Sequence, residues 1–303
     1  MSEPESTNLP DDRLGILYAA SAYALWGVMP LYWALLAHIP AIEVALHRSL
    51  WCALFLAIVL LLRGRGWRIL TLMRNRRLLA VLALTSALIT ANWALFIYCV
   101  ATHQLIEASL GYYMTPFISF VLGIVFLKER MSRIRIAAMA LALGAVLVQT
   151  IELGHIPWIG PTLALSFGLY GYFRKLAPVD AADGLLIETW ILFPAVAVII
   201  AYLGLTGQGA FPAPTVLENA TLIGAGPLTA LPLVLFAAGA RRIRLTTMGF
   251  LQYLSPTITL LLATLFMGES FTRTDAITFC AIWLALLVVS LEGYLPRLRL
   301  RLR

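Results

Sequence analysis

Charge is scarce in this chain. Asp, Glu, Lys and Arg make up 12% of its 303 residues, against about 25% in soluble globular domains. With 61% hydrophobic residues, a soluble fold of this length could not hide its apolar surface from water. The shortage argues against a soluble enzyme or binding domain and for a polytopic membrane protein. Cysteine is nearly missing too. Cys52, Cys99 and Cys280 lie in or beside apolar runs, with neither paired spacing nor a histidine pattern. Disulfides and metal sites are therefore not expected. There is no GxxxxGK[ST] phosphate loop, so direct ATP driving by this chain is not expected. His38, His47, His103 and His155 show no HExxH or HxxxxD spacing. No basic stretch precedes the first apolar run, so a cleaved signal peptide is not expected either.

What is present is a series of ten apolar runs, near 14–37, 42–62, 78–98, 104–127, 134–150, 157–173, 185–203, 219–238, 245–267 and 275–295. Most approach the roughly 20 residues that span a bilayer as a helix. They are continuous, whereas a barrel strand alternates. The polar, acidic residues 1–13 read as a disordered tail, and residues 296–303 as a basic tail. With ten spans, every Lys and Arg except Arg48 and Arg273 falls on one side of the membrane. The positive-inside rule then places both termini in the cytoplasm. The net charge of +7 follows from these flanks, so nucleic acid is not an expected partner. The long basic segment Arg63–Arg77 carries Trp67, Ile69, Leu70, Leu72 and Met73 among its arginines. It is either an ordinary positive-inside loop or a segment lying on anionic lipid. The segment 204–218 has Gly and Pro but no basic residue and reads as a flexible external connection.

One stretch occurs twice. Ser109–Arg133 shifted by 140 residues lands on Gly249–Arg273. Tyr113 falls on Tyr253, Thr115 on Ser255, Pro116 on Pro256, Glu129 on Glu269 and Arg133 on Arg273. A proline inside an apolar run, with Glu and Arg at its end, marks a duplication. The expected units are 14–150 and 157–295. Each holds five spans, an odd number, so the two must cross the membrane in opposite senses. The expected fold is all-α integral membrane, with ten transmembrane helices as two inverted five-helix repeats. Secondary transporters recurrently use this design, with the substrate between the repeats near the bilayer midplane.

Arg48 lies about 9 Å into the second run at 1.5 Å per residue. A charge at that depth needs a partner or a wet cavity, unless it snorkels. Its planar fork suits a carboxylate or phosphate. Glu43 and His47 are four apart, on one helix face. They are candidates for proton coupling or gating, or an interfacial pair. Asn92, Trp93 and Glu107 lie at comparable depth and could cluster with Arg48. Tyr112, Tyr113, Gln252 and Tyr253 lie near the midplane, beside the helix-breaking Pro116 and Pro256. They either line a pathway or pack between helices. Glu188 aligns with Arg48 and Thr189 with Ser49 under the same shift. Glu188 could serve an inner gate or cap a helix. Ala140 with Gly144, and Ala281 with Ala285, have the small-xxx-small spacing of close helix packing, within a monomer or across a homodimer.

The stretches AYALWGVMPLYW, EVALHRSLW and LGYYMTPFISFVLGIVFLKER resemble the RarD branch of bacterial EamA-type transporters, in the drug/metabolite transporter superfamily. The resemblance covers nearly the whole chain after the tail. It implies ten helices, two EamA repeats, an inner-membrane location and export of small molecules. It gives a class and not a ligand. The function expected is therefore a secondary transporter without catalytic residues, metal or cofactor. Its partners would be membrane lipid and a small molecule, anionic or zwitterionic. An integral-membrane acyl or lipid transferase, and a non-transporting receptor, are the alternatives. Neither accounts for both the inverted duplication and Arg48.

Overall fold

The computed structural model describes residues 9–101, 105–152, 158–266 and 273–292. They form helices only, and no strand occurs among the described residues. The helices are α1 (Leu9–Ala34), α2 (Ala41–Leu62), α3 (Gly66–Met73), α4 (Arg76–Ala101), α5 (Leu105–Val125), α6 (Arg133–Glu152), α7 (Ile159–Leu176), α8 (Ala181–Leu205), α9 (Val216–Ala240), α10 (Leu245–Gln252), α11 (Leu254–Phe266) and α12 (Arg273–Glu292). Five segments are each long and apolar enough to cross a bilayer: Asp12–Ala34, Ala41–Leu62, Arg76–Phe96, Ala181–Leu205 and Val216–Ala240. Gly111–Val125 and Cys280–Val289 are shorter apolar helices. Leu62 and Leu205 are 83% and 90% exposed, a waste of apolar surface in water but not against lipid tails.

Three local outcomes differ from the sequence expectation. Residues 9–13, expected in the tail, are the first turn of α1. Pro10, Asp11 and Asp12 are residue types that suit a helix start, because proline lacks the N–H that would go unused there and acids are favoured at the positive helix end. Residues 1–8 lie outside the described residues. The basic segment Arg63–Arg77 holds a helix, α3, because Ile69 and Leu72 pack against the buried cluster of Leu78, Leu82, Ala177, Val179 and Ile187. As expected of the helix-breaking Pro256, the ninth run is broken in two, with α10 ending at Gln252 and α11 starting at Leu254. Pro256 accounts for the break. Its ring clashes with the carbonyl four residues back, that of Gln252, and it offers no N–H to it. The third difference is Pro116, expected to break its helix but found inside an unbroken α5, where Thr115 Oγ1 donates to the Gly111 carbonyl at 2.7 Å.

The helices pack by exchange between the halves. α1 lies against α9 and α11, and α7 against α4 and α5. Likewise α2 lies against α9, and α8 against α4. The largest apolar core therefore draws on both halves, with Tyr23, Cys52, Leu56, Tyr170, Leu185, Leu233 and Phe236 among its members. α6 pairs with α12 through Ala138, Ala142 and Val146 against Ile282 and Ala285. This corrects one detail: Ala140 is exposed, and a Cβ added at Gly144 would meet nothing. The packing face is one helical step away.

Gly226 shows how close α2 and α9 come. A Cβ there would fall inside the van der Waals envelope of the Trp51 backbone, which no rotamer change can relieve. Gly226→Ala should cost roughly 1–3 kcal/mol, as overpacking does, and Gly226→Leu more. Thermal unfolding in detergent micelles measures this. Gly144→Ala should leave the midpoint within error.

Candidate functional site

Arg48 sits between two indole rings. Its guanidinium carbon is 4.5 Å from the Trp93 ring centroid and 5.2 Å from that of Trp33. Each contact lets the cation face π density, at about 0.5–1 kcal/mol when exposed and about 2 when desolvated. The Nε is buried and has no hydrogen-bond partner. No carboxylate among the described residues forms an ion pair with Arg48. The side chain of Glu107, its expected partner, lies outside the described residues. The planar fork of a half-buried guanidinium held between aromatic faces has the shape to meet a carboxylate or phosphate.

Arg48 does not line the inner cavity of about 20 Å³, whose wall includes its ring neighbour Trp93 together with Ser49, Ser86, Tyr170, Glu188 and Thr189. This space has room for about one water molecule. Ser49 and Thr189 occupy equivalent places under the 140-residue shift, as do Trp93 and Leu233, which also lines it. The cavity thus takes matching positions from both halves. Ser49 Oγ donates to the Ala45 carbonyl at 2.8 Å, and Thr189 Oγ1 to that of Leu186 at 2.9 Å. These local bonds leave the small side chains on the cavity wall.

Glu188 closes the floor of this cavity and is only 2% exposed. Its Oε1 accepts a hydrogen bond from Thr85 Oγ1 and lies 3.6 Å from Nε of Arg174. Its Oε2 has no partner, and Ser86 Oγ donates to its backbone carbonyl at 2.9 Å. Arg174 is 1% exposed. One of its amino nitrogens donates to the Ala181 carbonyl at 2.9 Å, while Nε and the other amino nitrogen make no hydrogen bond. Gly184 makes the place for it, since a Cβ there would collide with the guanidinium. Arg174 and Lys175, expected in a loop, are in fact the last turn of α7. Lys175 Nζ donates to the Ala240 carbonyl at 2.9 Å and also to that of Ile243. Both cations are drawn in because the carbonyls at helix ends and Glu188 offer what water would otherwise supply.

Two carboxylates tie the ends of the bundle. Glu43 stands in the first turn of α2 and Asp183 in the first turn of α8, again 140 residues apart. Each is buried, at 5% and 0% exposure. Glu43 Oε1 accepts from the Ala210 N–H, in the segment joining α8 to α9. Its other neighbour is His47, whose Nε2 is 3.8 Å away and whose ring lies 5.5 Å from Phe211. Asp183 is reached from the segment joining α2 to α4, by Arg65 at 3.3 Å and Arg68 at 3.0 Å. Asp180 extends that cluster to Arg68 at 2.8 Å and Arg241 at 3.6 Å. At the same end Glu129 caps α10, accepting from the N–H groups of Leu245 and Thr246 at 2.7 and 3.0 Å. At the opposite end Tyr32 donates to the Thr221 carbonyl at 2.6 Å, and His38 meets Glu218 at 3.1 Å. An open pocket of about 330 Å³ there is lined by His38, Glu43, Gln208 and Glu218, among others.

The remaining sequence candidates fall in several places. Trp93 joins the site. Asn92 is a tie between helices, its amide donating to the Leu163 carbonyl and to Ser166 Oγ at 2.9 Å each. Tyr112 is 43% exposed and sets its ring edge-on to Phe96 at 6.1 Å. Tyr113 and Tyr253 do not line the cavity. They are buried in the apolar cluster with Phe120 and Phe250, and Tyr253 Oη donates to the Tyr113 carbonyl at 3.4 Å. Gln252 is buried at the α10–α11 break, with Oε1 unpartnered. Glu188 is no helix cap, since it lies well inside α8. Glu269, the repeat partner of Glu129, lies outside the described residues. Trp33, Thr85, Ser86, Tyr170, Arg174 and Asp183 were not picked out by sequence. Only Asp183 carried a usable signal, its 140-residue offset from Glu43.

Removing one partner of a buried ion pair leaves an uncompensated charge and costs about 3–5 kcal/mol. Arg174→Met should therefore lower the unfolding midpoint sharply in micelles. Adding Glu188→Gln to that variant should restore much of the loss, because the stranded charge is gone. Additive losses would show that the pair is not coupled.

The chain matches known proteins across its length. The model of the EamA-like transporter family matches residues 13–151 and again 159–291. An uncharacterized transporter of Pseudomonas aeruginosa is 42% identical over 285 residues, covering 93% of this chain and 95% of that protein. The protein RarD of Escherichia coli is 40% identical over 282 residues, covering 93% and 95%. A protein of Pseudomonas aeruginosa called chloramphenicol-sensitive protein RarD is 29% identical over 284 residues, covering 92% and 94%. A solved crystal structure shares the fold at a TM-score of 0.68 and 16% identity, over 92% of this chain and 97% of that one. A bundle of apolar helices, a charge-bearing cavity inside it and these matches agree: the chain belongs to the EamA-like transporter family.

Proposed function

We propose that this protein is a secondary transporter that exports small organic molecules across the bacterial inner membrane by alternating access. In this reading α10 and α11 form one broken span and α3 does not cross. Ten spans then make two inverted repeats, with both termini and the arginine-rich end in the cytoplasm. Arg48 holds an anionic group of the substrate, carboxylate or phosphate, and Trp33 and Trp93 flank the apolar body beside it. The Glu43 and Asp183 clasps are the outer and inner gates. Inverted repeats give each gate an equivalent at the other end, so that opening one can be exchanged for opening the other.

The observation that carries this reading is the cavity between the halves. It is lined by equivalent positions of both, Ser49 and Thr189, and a carboxylate clasp lies beyond it at each end. With both clasps formed and room for about one water, this arrangement is occluded. Transport needs a larger space, which releasing either clasp would provide. The exchange of helix contacts between halves further supports two equivalent units.

The test is transport by purified protein in liposomes. Arg48→Lys keeps the charge without the fork, and Arg48→Ala removes both. Losing a charge-assisted hydrogen bond costs about 1.5–3 kcal/mol, so substrate binding should weaken roughly ten- to a hundredfold. Normal transport by both folded variants would return Arg48 to a packing role. Reporter fusions after Arg77, Arg135, Lys175 and Arg244 should all report cytoplasm, and one within 204–218 should report the outside. A cytoplasmic signal from 204–218 would overturn the inverted arrangement.

A further inference from the structure

Helix α3 has no counterpart in the second half. The 140-residue shift places the segment 204–218 opposite it, and that segment carries no arginine. Helix α3 begins just past the end of α2 and stops just before α4. Both of those helices are long and apolar enough to cross a bilayer, so α3 lies where hydrocarbon meets water.

Its two faces are occupied differently. Ile69 and Leu72 pack inward on the buried cluster of Leu78, Leu82, Ala177, Val179 and Ile187, while Arg65 and Arg68 reach Asp180 and Asp183. Trp67, Leu70 and Met73 follow one another at three-residue spacing on the other side. They are 77%, 56% and 40% exposed. A tryptophan and two aliphatic side chains standing in water on so short a helix is unfavourable. Around them Arg63, Arg74, Arg76 and Arg77 are exposed. They make no side-chain hydrogen bond or ion pair among the described residues. Arg76 and Arg77 also begin α4, the helix end where cations are disfavoured by the dipole. No acidic side chain among the described residues pairs with them there.

We propose that α3 is a lipid-docking surface that seats Trp67, Leu70 and Met73 among the acyl chains of an anionic leaflet. Arg63, Arg74, Arg76 and Arg77 contact the phospholipid headgroups. The arrangement is that of an interfacial amphipathic helix, apolar face into the leaflet and cations at headgroup level. The charge selects anionic phospholipid over zwitterionic. The two arginines already engaged by Asp180 and Asp183 are not part of this surface. They fasten α3 to the second half while its opposite face rests on the membrane.

Depth measurement on the full chain tests this independently of transport. Thr71 is exposed and sits one turn from Trp67, on the same face. A nitroxide on Thr71→Cys, in a Cys280→Ser background, reports that face; Cys52 and Cys99 are buried and stay unlabelled. The protein is placed in nanodiscs of phosphatidylcholine alone, or with phosphatidylglycerol. Adding phosphatidylglycerol should raise the ratio of oxygen to nickel-chelate collisions, meaning deeper seating. Arg74→Gln, Arg76→Gln and Arg77→Gln together should weaken the seating about a hundredfold and remove the difference. Raising ionic strength on the unmodified sequence should diminish it as well. A label equally deep in both disc types, or equally water-exposed in both, would overturn the proposal. So would a lipid effect that survives both the triple substitution and salt.

Discussion

A carboxylate inside a bundle wrapped in lipid must find a donor within the bundle, because water is too far to help. Glu43, Glu129, Asp183 and Glu188 all meet this requirement across the divide between the two halves. Glu43 takes the Ala210 N–H and Glu129 the start of α10. Asp183 takes Arg65 and Arg68, and Glu188 the Thr85 hydroxyl. Each acid is thus a fastening between the two halves. Apolar packing between helices in a membrane has no water to drive it. The polar fastenings therefore fix how the halves are held, while the close backbone approach at Gly226 lets the helices reach that position.

The two end clasps share a geometry but not a strength. A single neutral N–H holds Glu43, with His47 nearby. Two guanidinium groups hold Asp183, with Asp180 and Arg241 extending the cluster. Charge-assisted bonds are roughly twice as strong as neutral ones. The end that carries α3 is accordingly the tighter one. Under the proposed alternating access, the helix α3 between α2 and α4, unmatched in the second half, would make the two gates unequal.

How much of this was legible in the sequence depends on how local each cause is. The apolar runs, the scarcity of charge and the placement of Lys and Arg report on bilayer thickness and solvation, which act on each segment alone. Pro256 announced a disturbance that became the α10–α11 break. Arg48 was recognisable because a lone guanidinium deep in an apolar run demands a reason. Its neighbours Trp33 and Trp93 come from two other helices, so only the first could have been overlooked by depth and the second was found by it. Arg174 looked like any basic residue at a helix end. Its burial follows from Gly184 and Glu188, both on another helix, and no pattern within α7 signals that. For Tyr113 and Tyr253 depth left two readings open, lining a pathway or packing between helices, and the structure packs them with Phe120 and Phe250, because which helix faces meet is not described by depth alone. The 140-residue offset proved the more useful guide to sites: it pairs Ser49 with Thr189 at the cavity and Glu43 with Asp183 at the ends.

The central claim is that the two clasps exchange. Paired nitroxides read it directly by electron–electron distance measurement, with labels at Leu62 and Leu176 for the arginine-rich end and at Ala37 and Gln208 for the other. All four positions are exposed. With alternating gates, Asp183→Asn should shift the 62–176 distances to longer values while holding the 37–208 distances short. Glu43→Gln should do the reverse. If each substitution loosens its own end and leaves the populations at the other unchanged, or if both ends open together, the clasps are not alternating gates.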